Sequence, residues 1–123
     1  MTEKIIIEAT AKYSPEHSEM REKRYVFPYH IKITNQGHHS VQLLARYWKI
    51  TDANGEVQEV QGEGVIGEQP LIMPAGVYQY ESFCILPTPL GWMEGHYQMC
   101  RTDGSSFETP IPRFVLEVPG IRQ

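Results

Sequence analysis

Residues 41–61 read VQLLARYWKITDANGEVQEVQ, and this run decides the fold. Its first half concentrates branched and aromatic side chains, including Trp48, on a segment long enough to be a central strand. Asn54-Gly55 follows directly. That dipeptide is the strongest short hairpin signal in the chain, because both central positions of the favoured two-residue turn need positive φ. Residues 56–61 then return as the partner strand, and Trp48 is a candidate core residue.

Outward from this hairpin, two-residue alternation continues. Residues 4–13 put Ile5, Ile7, Ala9, Ala11 and Tyr13 on one face and Ile6, Glu8, Thr10 and Lys12 on the other, which reads as a half-buried strand. Ser14-Pro15-Glu16 has the composition to open one helical turn. Residues 24–35 align Phe27, Tyr29, Ile31 and Ile33; Pro28 falls on the opposite face without an N–H, so this strand is expected to be edge-like or bulged there. Asn35-Gln36-Gly37 turns the chain. Residues 62–76 (GEGVIGEQPLIMPAG) read as a long irregular connection, 77–86 as a strand, 87–91 as a loop and 93–102 as a strand. Asp103-Gly104 closes that strand, and residues 105–118 form the last, with Pro110 and Pro112 marking an edge. About seven strands with regular turn signals and no convincing helix indicate an all-β, antiparallel β-sandwich. Gly95-His96-Tyr97-Gln98-Met99 is similar to the tyrosine corner of immunoglobulin-like domains, in which the Tyr hydroxyl bonds to backbone. An ordinary strand tyrosine is the alternative.

The chain has 123 residues, 41% hydrophobic and 21% charged, and residues 1–123 read as one domain. Folding at this length buries about two-thirds of the extended chain's surface, enough for a core without disulfides or a metal. No apolar run approaches a membrane span, and the opening MTEKIIIEAT is too short for a signal-peptide core, so a cytoplasmic location is expected. The net charge of −4 is uneven: residues 1–49 carry net +3, and residues 50–100 carry seven acids and no Lys or Arg. Duplex nucleic acid is disfavoured, since phosphate contacts need cations. The acidic third could instead face a basic partner or a divalent cation.

No catalytic set stands out. Cys84 and Cys100 lie outside any metal-ligand spacing and read as free thiols. His38 and His39 follow a turn and read as surface residues; a metal there would need a third ligand brought by the fold. Gly62, Gly64 and Gly67 make a formal GxGxxG. In dinucleotide folds such glycines bring backbone N–H groups to pyrophosphate at a helix N-terminus. Here Pro70 and Pro74 preclude the helix, and Glu63 and Glu68 flank the motif. A nest of N–H groups could still take a phosphate; otherwise the glycines serve positive φ or close packing.

Three segments together carry a resemblance: VQLLARYWKITDANG at 41–55, VQGEGVIGEQPLIMPAGVYQYES at 60–82 and PLGWMEGHYQM at 89–99. Over roughly residues 5–118 the chain resembles the ApaG family. The resemblance implies a seven- to eight-stranded sandwich similar to fibronectin type III and immunoglobulin folds. No enzymatic activity is established for the family, so the resemblance implies a non-enzymatic protein, associated genetically with diadenosine tetraphosphate hydrolysis and with cobalt and magnesium transport; nothing in the sequence itself requires a cofactor. Similar domains in a eukaryotic F-box protein and a DNA polymerase delta-interacting protein suggest recognition of a protein partner. The rival implication is a nucleotide-polyphosphate or pyrophosphate sensor at Gly62, Gly64 and Gly67, assisted by a divalent cation. Open edge strands would also allow a homodimer.

Overall fold

The computed structural model describes residues 4–120, which form two antiparallel sheets packed face to face. In chain order the strands are β1 (Ile5–Ala11), β2 (Tyr25–Asn35), β3 (Val41–Asp52), β4 (Val57–Glu63), β5 (Leu71–Ile72), β6 (Val77–Leu86), β7 (Leu90–Arg101) and β8 (Ser106–Glu117). One sheet runs β1-β2-β6. The other runs β4-β3-β7-β8, with β5 pairing the start of β3 beyond the end of β4. Among the described residues the only helical pieces are two 3-10 turns, Pro15–His17 and Met20–Glu22. The first is the turn expected at Ser14-Pro15-Glu16. No described helix is long and apolar enough to cross a membrane.

The inward alternation supplies the core. Phe27, Ile31 and Ile33 of β2 meet Leu43, Trp48, Met93, Tyr97, Met99 and Leu116 from the facing sheet, all buried. Trp48 sits edge-on to Tyr29 and to Phe114, with ring centroids 5.6 and 5.9 Å away, a geometry that suits the ring quadrupoles. Gly95 lies opposite Trp48, and a Cβ at that position would strike the carbonyl oxygen of Tyr47. Close approach of two backbones is what excludes a side chain there.

Three expectations are corrected. β2 is the central strand of its sheet, so Pro28 is not at an edge. The register explains how it is tolerated. Lys12 N–H donates to the Pro28 carbonyl at 2.9 Å; Pro28 cannot return that bond, and β1 ends one residue earlier, at Ala11. The missing donor removes one bond on the β1 side, where Ser14 N–H still donates to Val26 O at 2.9 Å, while the β6 side stays regular. Second, the connection 62–76 is more ordered than its glycines and prolines suggest: Gly62 and Glu63 complete β4, and Leu71–Ile72 forms β5. Third, Tyr97 does not make a tyrosine corner. Its hydroxyl meets that of Tyr80 across the sandwich, 2.5 Å away and buried, instead of bonding to backbone. Pro110 and Pro112 do lie on an edge strand, β8. Pro112 and Arg113 together oppose Glu94, a bulge that bends this edge.

Candidate functional site

The glycine motif is built as a strand end followed by a tight turn. Gly62 pairs with Arg46 of β3. Gly64 has φ +64°, and its N–H donates to Leu44 O at 2.7 Å. Val65 and Glu68 then exchange two backbone hydrogen bonds, 2.8 and 3.0 Å, around Ile66 (φ +49°) and Gly67 (φ +74°). Two successive positive φ values make this a type I′ turn. Tyr78 of β6 donates to the Glu68 carboxylate at 2.7 Å, tying the turn to the opposite sheet and raising the Tyr78 pKa to about 12, through burial first and this bond second. Further along, Leu43 N–H donates to Pro70 O, and the fully buried Asn35 holds the connection from beneath. Its amide donates to Ile72 O at 3.0 Å and His39 O at 2.8 Å, while its oxygen accepts from Gly37 N–H at 2.9 Å.

This geometry uses the N–H groups of Gly64, Val65 and Glu68 on protein carbonyls. It also brings a cation that the local sequence lacks. A one-residue bulge at Leu44 shifts the alternation of β3, so that Arg46 shares the inward face with Trp48 and Ile50. The Arg46 guanidinium lies against Gly62, where a Cβ would come within 2.8 Å, and donates to Glu63 O at 3.1 Å and Gly64 O at 2.9 Å. The connection then presents apolar side chains to solvent: Ile66 is 60% exposed, Leu71 63% and Met73 62%.

Two other concavities lie on the sheets' outer faces, and no motif in the sequence points to either. The larger, about 1020 Å³, sits on the outer face of β1-β2-β6. Val26 and Pro28 line it, and Lys12, His30 and Phe83 stand around them. The segment between β1 and β2 forms one wall, fixed by Ser18 Oγ to Ser14 O (2.6 Å), Ser14 Oγ to His17 Nδ1 (2.7 Å) and Arg24 to His17 O (3.1 Å). Amphipathic alternation predicts which side chains share that outer face, but not the chain segment that walls it. The smaller, about 440 Å³, is on the outer face of β3-β4-β7. There the Tyr47 ring stacks on His96 at 4.9 Å and its hydroxyl donates to Glu59 at 2.6 Å, while His96 Nε2 is 3.6 Å from the Glu108 carboxylate. His96 is therefore engaged with Tyr47 and Glu108. Cys84 is buried on the inner side of β6, and burial pushes its thiol up to about 11. His38 and His39 are exposed on the turn after β2. Among the described residues no three His, Cys, Asp or Glu side chains group closely enough to hold a metal ion.

Two antiparallel sheets packed face to face, with apolar side chains exposed on a connecting loop, define a β-sandwich domain. The model of the ApaG domain family matches residues 15–101, and the chain belongs to that family. Protein ApaG of Pectobacterium atrosepticum is 48% identical over 118 residues, covering 96% of this chain and 94% of the relative. Protein ApaG of Yersinia pseudotuberculosis is 49% identical over the same length and coverage. A crystal structure of a Bordetella pertussis protein described as ApaA superposes with a TM-score of 0.93 at 43% identity, covering 96% of each chain. The structural-genomics target SoR45 gives 0.90 at 43% identity, covering 95% of this chain and 89% of the other.

Proposed function

We propose that this chain is a non-catalytic recognition module that docks another protein through its glycine-rich connection. One observation carries the reading: Ile66 sits at φ +49° with its side chain exposed. A β-branched residue in the left-handed region costs roughly 1–2 kcal/mol, and Gly or Asn would relieve that strain. Gly64, Gly67 and the buried Val65 hold a turn whose product is one apolar side chain held out in water, beside exposed Leu71 and Met73. Such side chains are the raw material of protein interfaces. The association of ApaG-like proteins with diadenosine tetraphosphate and with cobalt and magnesium would then reach this chain through the docked protein.

The test compares proteins retained from cell extract by the wild type, by Ile66→Asn and by an unrelated sandwich domain. Asn keeps the turn and removes the apolar side chain. A protein held by the wild type and lost by Ile66→Asn is expected. Identical sets from all three would remove the basis for the reading.

Arg46 favours a second reading, a nucleotide polyphosphate or pyrophosphate bound at Gly62, Gly64 and Gly67 with a divalent cation, because it places a guanidinium against Gly62. That reading predicts a metal-dependent rise in melting temperature of about 10 °C with a ligand at 100 times its dissociation constant. No rise with ATP, diadenosine tetraphosphate or pyrophosphate would count against it.

A further inference from the structure

Among the described residues one long sheet edge, that of β6, is guarded by a single charge, and that edge has a definite chemistry. We infer that β6 is a docking edge for an extended segment of another protein, in which apolar residues alternate and a Lys or Arg lies opposite Glu81. This inference rests on the protein-recognition reading above and names a second contact surface for it.

The hydrogen bonds fix which groups of β6 are free. On β2, the carbonyls of Val26 and Pro28 and the N–H of Gln36 bond toward β1, whereas the Asn35 N–H bonds Gly76 on the β6 side. Even-numbered β2 residues therefore face β1 and odd-numbered ones face β6. The register pairs Phe27 with Cys84, Tyr29 with Ser82, Ile31 with Tyr80 and Ile33 with Tyr78. These even residues of β6 spend their N–H and C=O groups on β2. The groups of Val77, Gln79, Glu81, Phe83 and Ile85 point the other way, and β6 has no second neighbour among the described strands.

The other edges are guarded. β1 packs against β8; β8 carries Pro110, Pro112 and a bulge; β4 is shorter and carries Glu59 and Glu63. β6 has no Pro, no Lys, no Arg and no break in register, so of the usual devices against edge-to-edge pairing it keeps only one charge, Glu81. Its outward side chains include exposed Val77, Phe83 and Ile85, with Phe83 at 62%. A strand added here would set its own side chains directly opposite these.

The charge pattern selects the occupant. Two copies of β6 paired about a twofold axis with all five free positions engaged would put Val77 opposite Ile85, Gln79 opposite Phe83, and Glu81 opposite Glu81 of the second copy. Like charges directly opposed are destabilising, and sliding by one pair sets Glu81 against Phe83 or Gln79. On β2, His30 lies opposite Glu81 with its Nδ1 3.9 Å from the carboxylate, and residues 50–100 themselves contain no Lys or Arg. A foreign strand with a cation at that position meets Glu81 with its complement and covers Phe83 and Ile85 with apolar neighbours. This is β-strand addition, with backbone bonds giving affinity and alternate side chains giving selectivity.

The experiment pans a displayed library of random segments, about nine residues long to match the edge, on the full chain. The Gln79→Pro variant serves as the control. The Gln79 N–H faces away from β2, so Pro blocks strand addition without removing a ladder bond. Selected segments should alternate apolar residues, place Lys or Arg in register with Glu81, and bind Gln79→Pro about tenfold more weakly or worse, the equivalent of one or two net hydrogen bonds. The Glu81→Lys variant should select acidic segments instead. If Gln79→Pro does not fold by amide spectra, Phe83→Lys, which changes an exposed side chain, takes its place with the same expected loss. Segments that bind both variants at full strength overturn the β6 assignment and leave the recognition reading standing. A self-association that Gln79→Pro abolishes overturns it by giving the edge to a second copy. A library that yields no segment overturns it as well, while the Ile66→Asn comparison decides the broader reading separately.

Discussion

Removing one hydroxyl from the Tyr80–Tyr97 pair tests how this core tolerates polarity. Tyr97 is 0% exposed and Tyr80 8%, and their hydroxyls bond to each other across the two sheets. Tyr97→Phe leaves the Tyr80 hydroxyl buried without that partner, and Tyr80→Phe does the converse. An orphaned buried hydroxyl costs about 1–3 kcal/mol, so each single variant should lose about 2 kcal/mol. For a chain of this length that lowers the melting temperature by about 8 °C. The double variant removes both polar groups and forfeits a net bond worth about 1 kcal/mol. It should be more stable than either single, with a coupling of about 3 kcal/mol in the cycle. Urea unfolding of the four proteins measures this. Single variants within about 0.5 kcal/mol of wild type, with an additive double, would show that the hydroxyls are hydrated and that the buried bond does not exist in solution. The same pair sets an alkaline limit. Burial raises both tyrosine pKa values above the ordinary 10, so the unfolded chain loses these protons first. Stability contributed by the neutral pair is complete below pH 10 and falls as pH rises beyond it. Absorbance at 295 nm should show these two tyrosines ionising together with unfolding.

Further outcomes follow from single contacts. Gly95→Ala drives a methyl into the Tyr47 carbonyl and should cost about 3 kcal/mol or more, read as loss of folded protein or a sharply lowered denaturation midpoint. Asn35→Ala strips the bonds to Ile72, His39 and Gly37 and should cost about 2–4 kcal/mol; protection of the amides of residues 71–76 in hydrogen exchange should fall most. Gly64→Ala meets both a positive φ and the Glu68 carbonyl, so it should destabilise the turn itself, and melting curves without ligand will show this. Cys84, buried with its thiol pushed up to about 11, should resist alkylation at pH 8 while the half-buried Cys100 reacts, as mass spectrometry of the native protein will report.

Amphipathic alternation, the Asn54-Gly55 hairpin and Trp48 are local signals, legible because side-chain period and turn chemistry act over a few residues; the hairpin forms, but as a loop of Ala53, Asn54 and Gly55 between Asp52 and Glu56, with Gly55 and not Asn54 at positive φ. The sandwich class, most strand positions, the free thiols and the turn residues were legible for that reason. What the sequence could not disclose depends on which strands become neighbours. Pro28 reads as an edge residue, yet β2 is central, because sheet order decides which strands lie on either side of it and the proline costs only the one bond its nitrogen cannot donate. The Leu44 bulge moves Arg46 onto the inner face and so brings a cation to the glycine motif from 16 positions away in sequence. Tyr97 finds Tyr80 only because two sheets meet. The free edge of β6 likewise follows from sheet order, since a strand's own residues do not say whether a second strand will lie beside it.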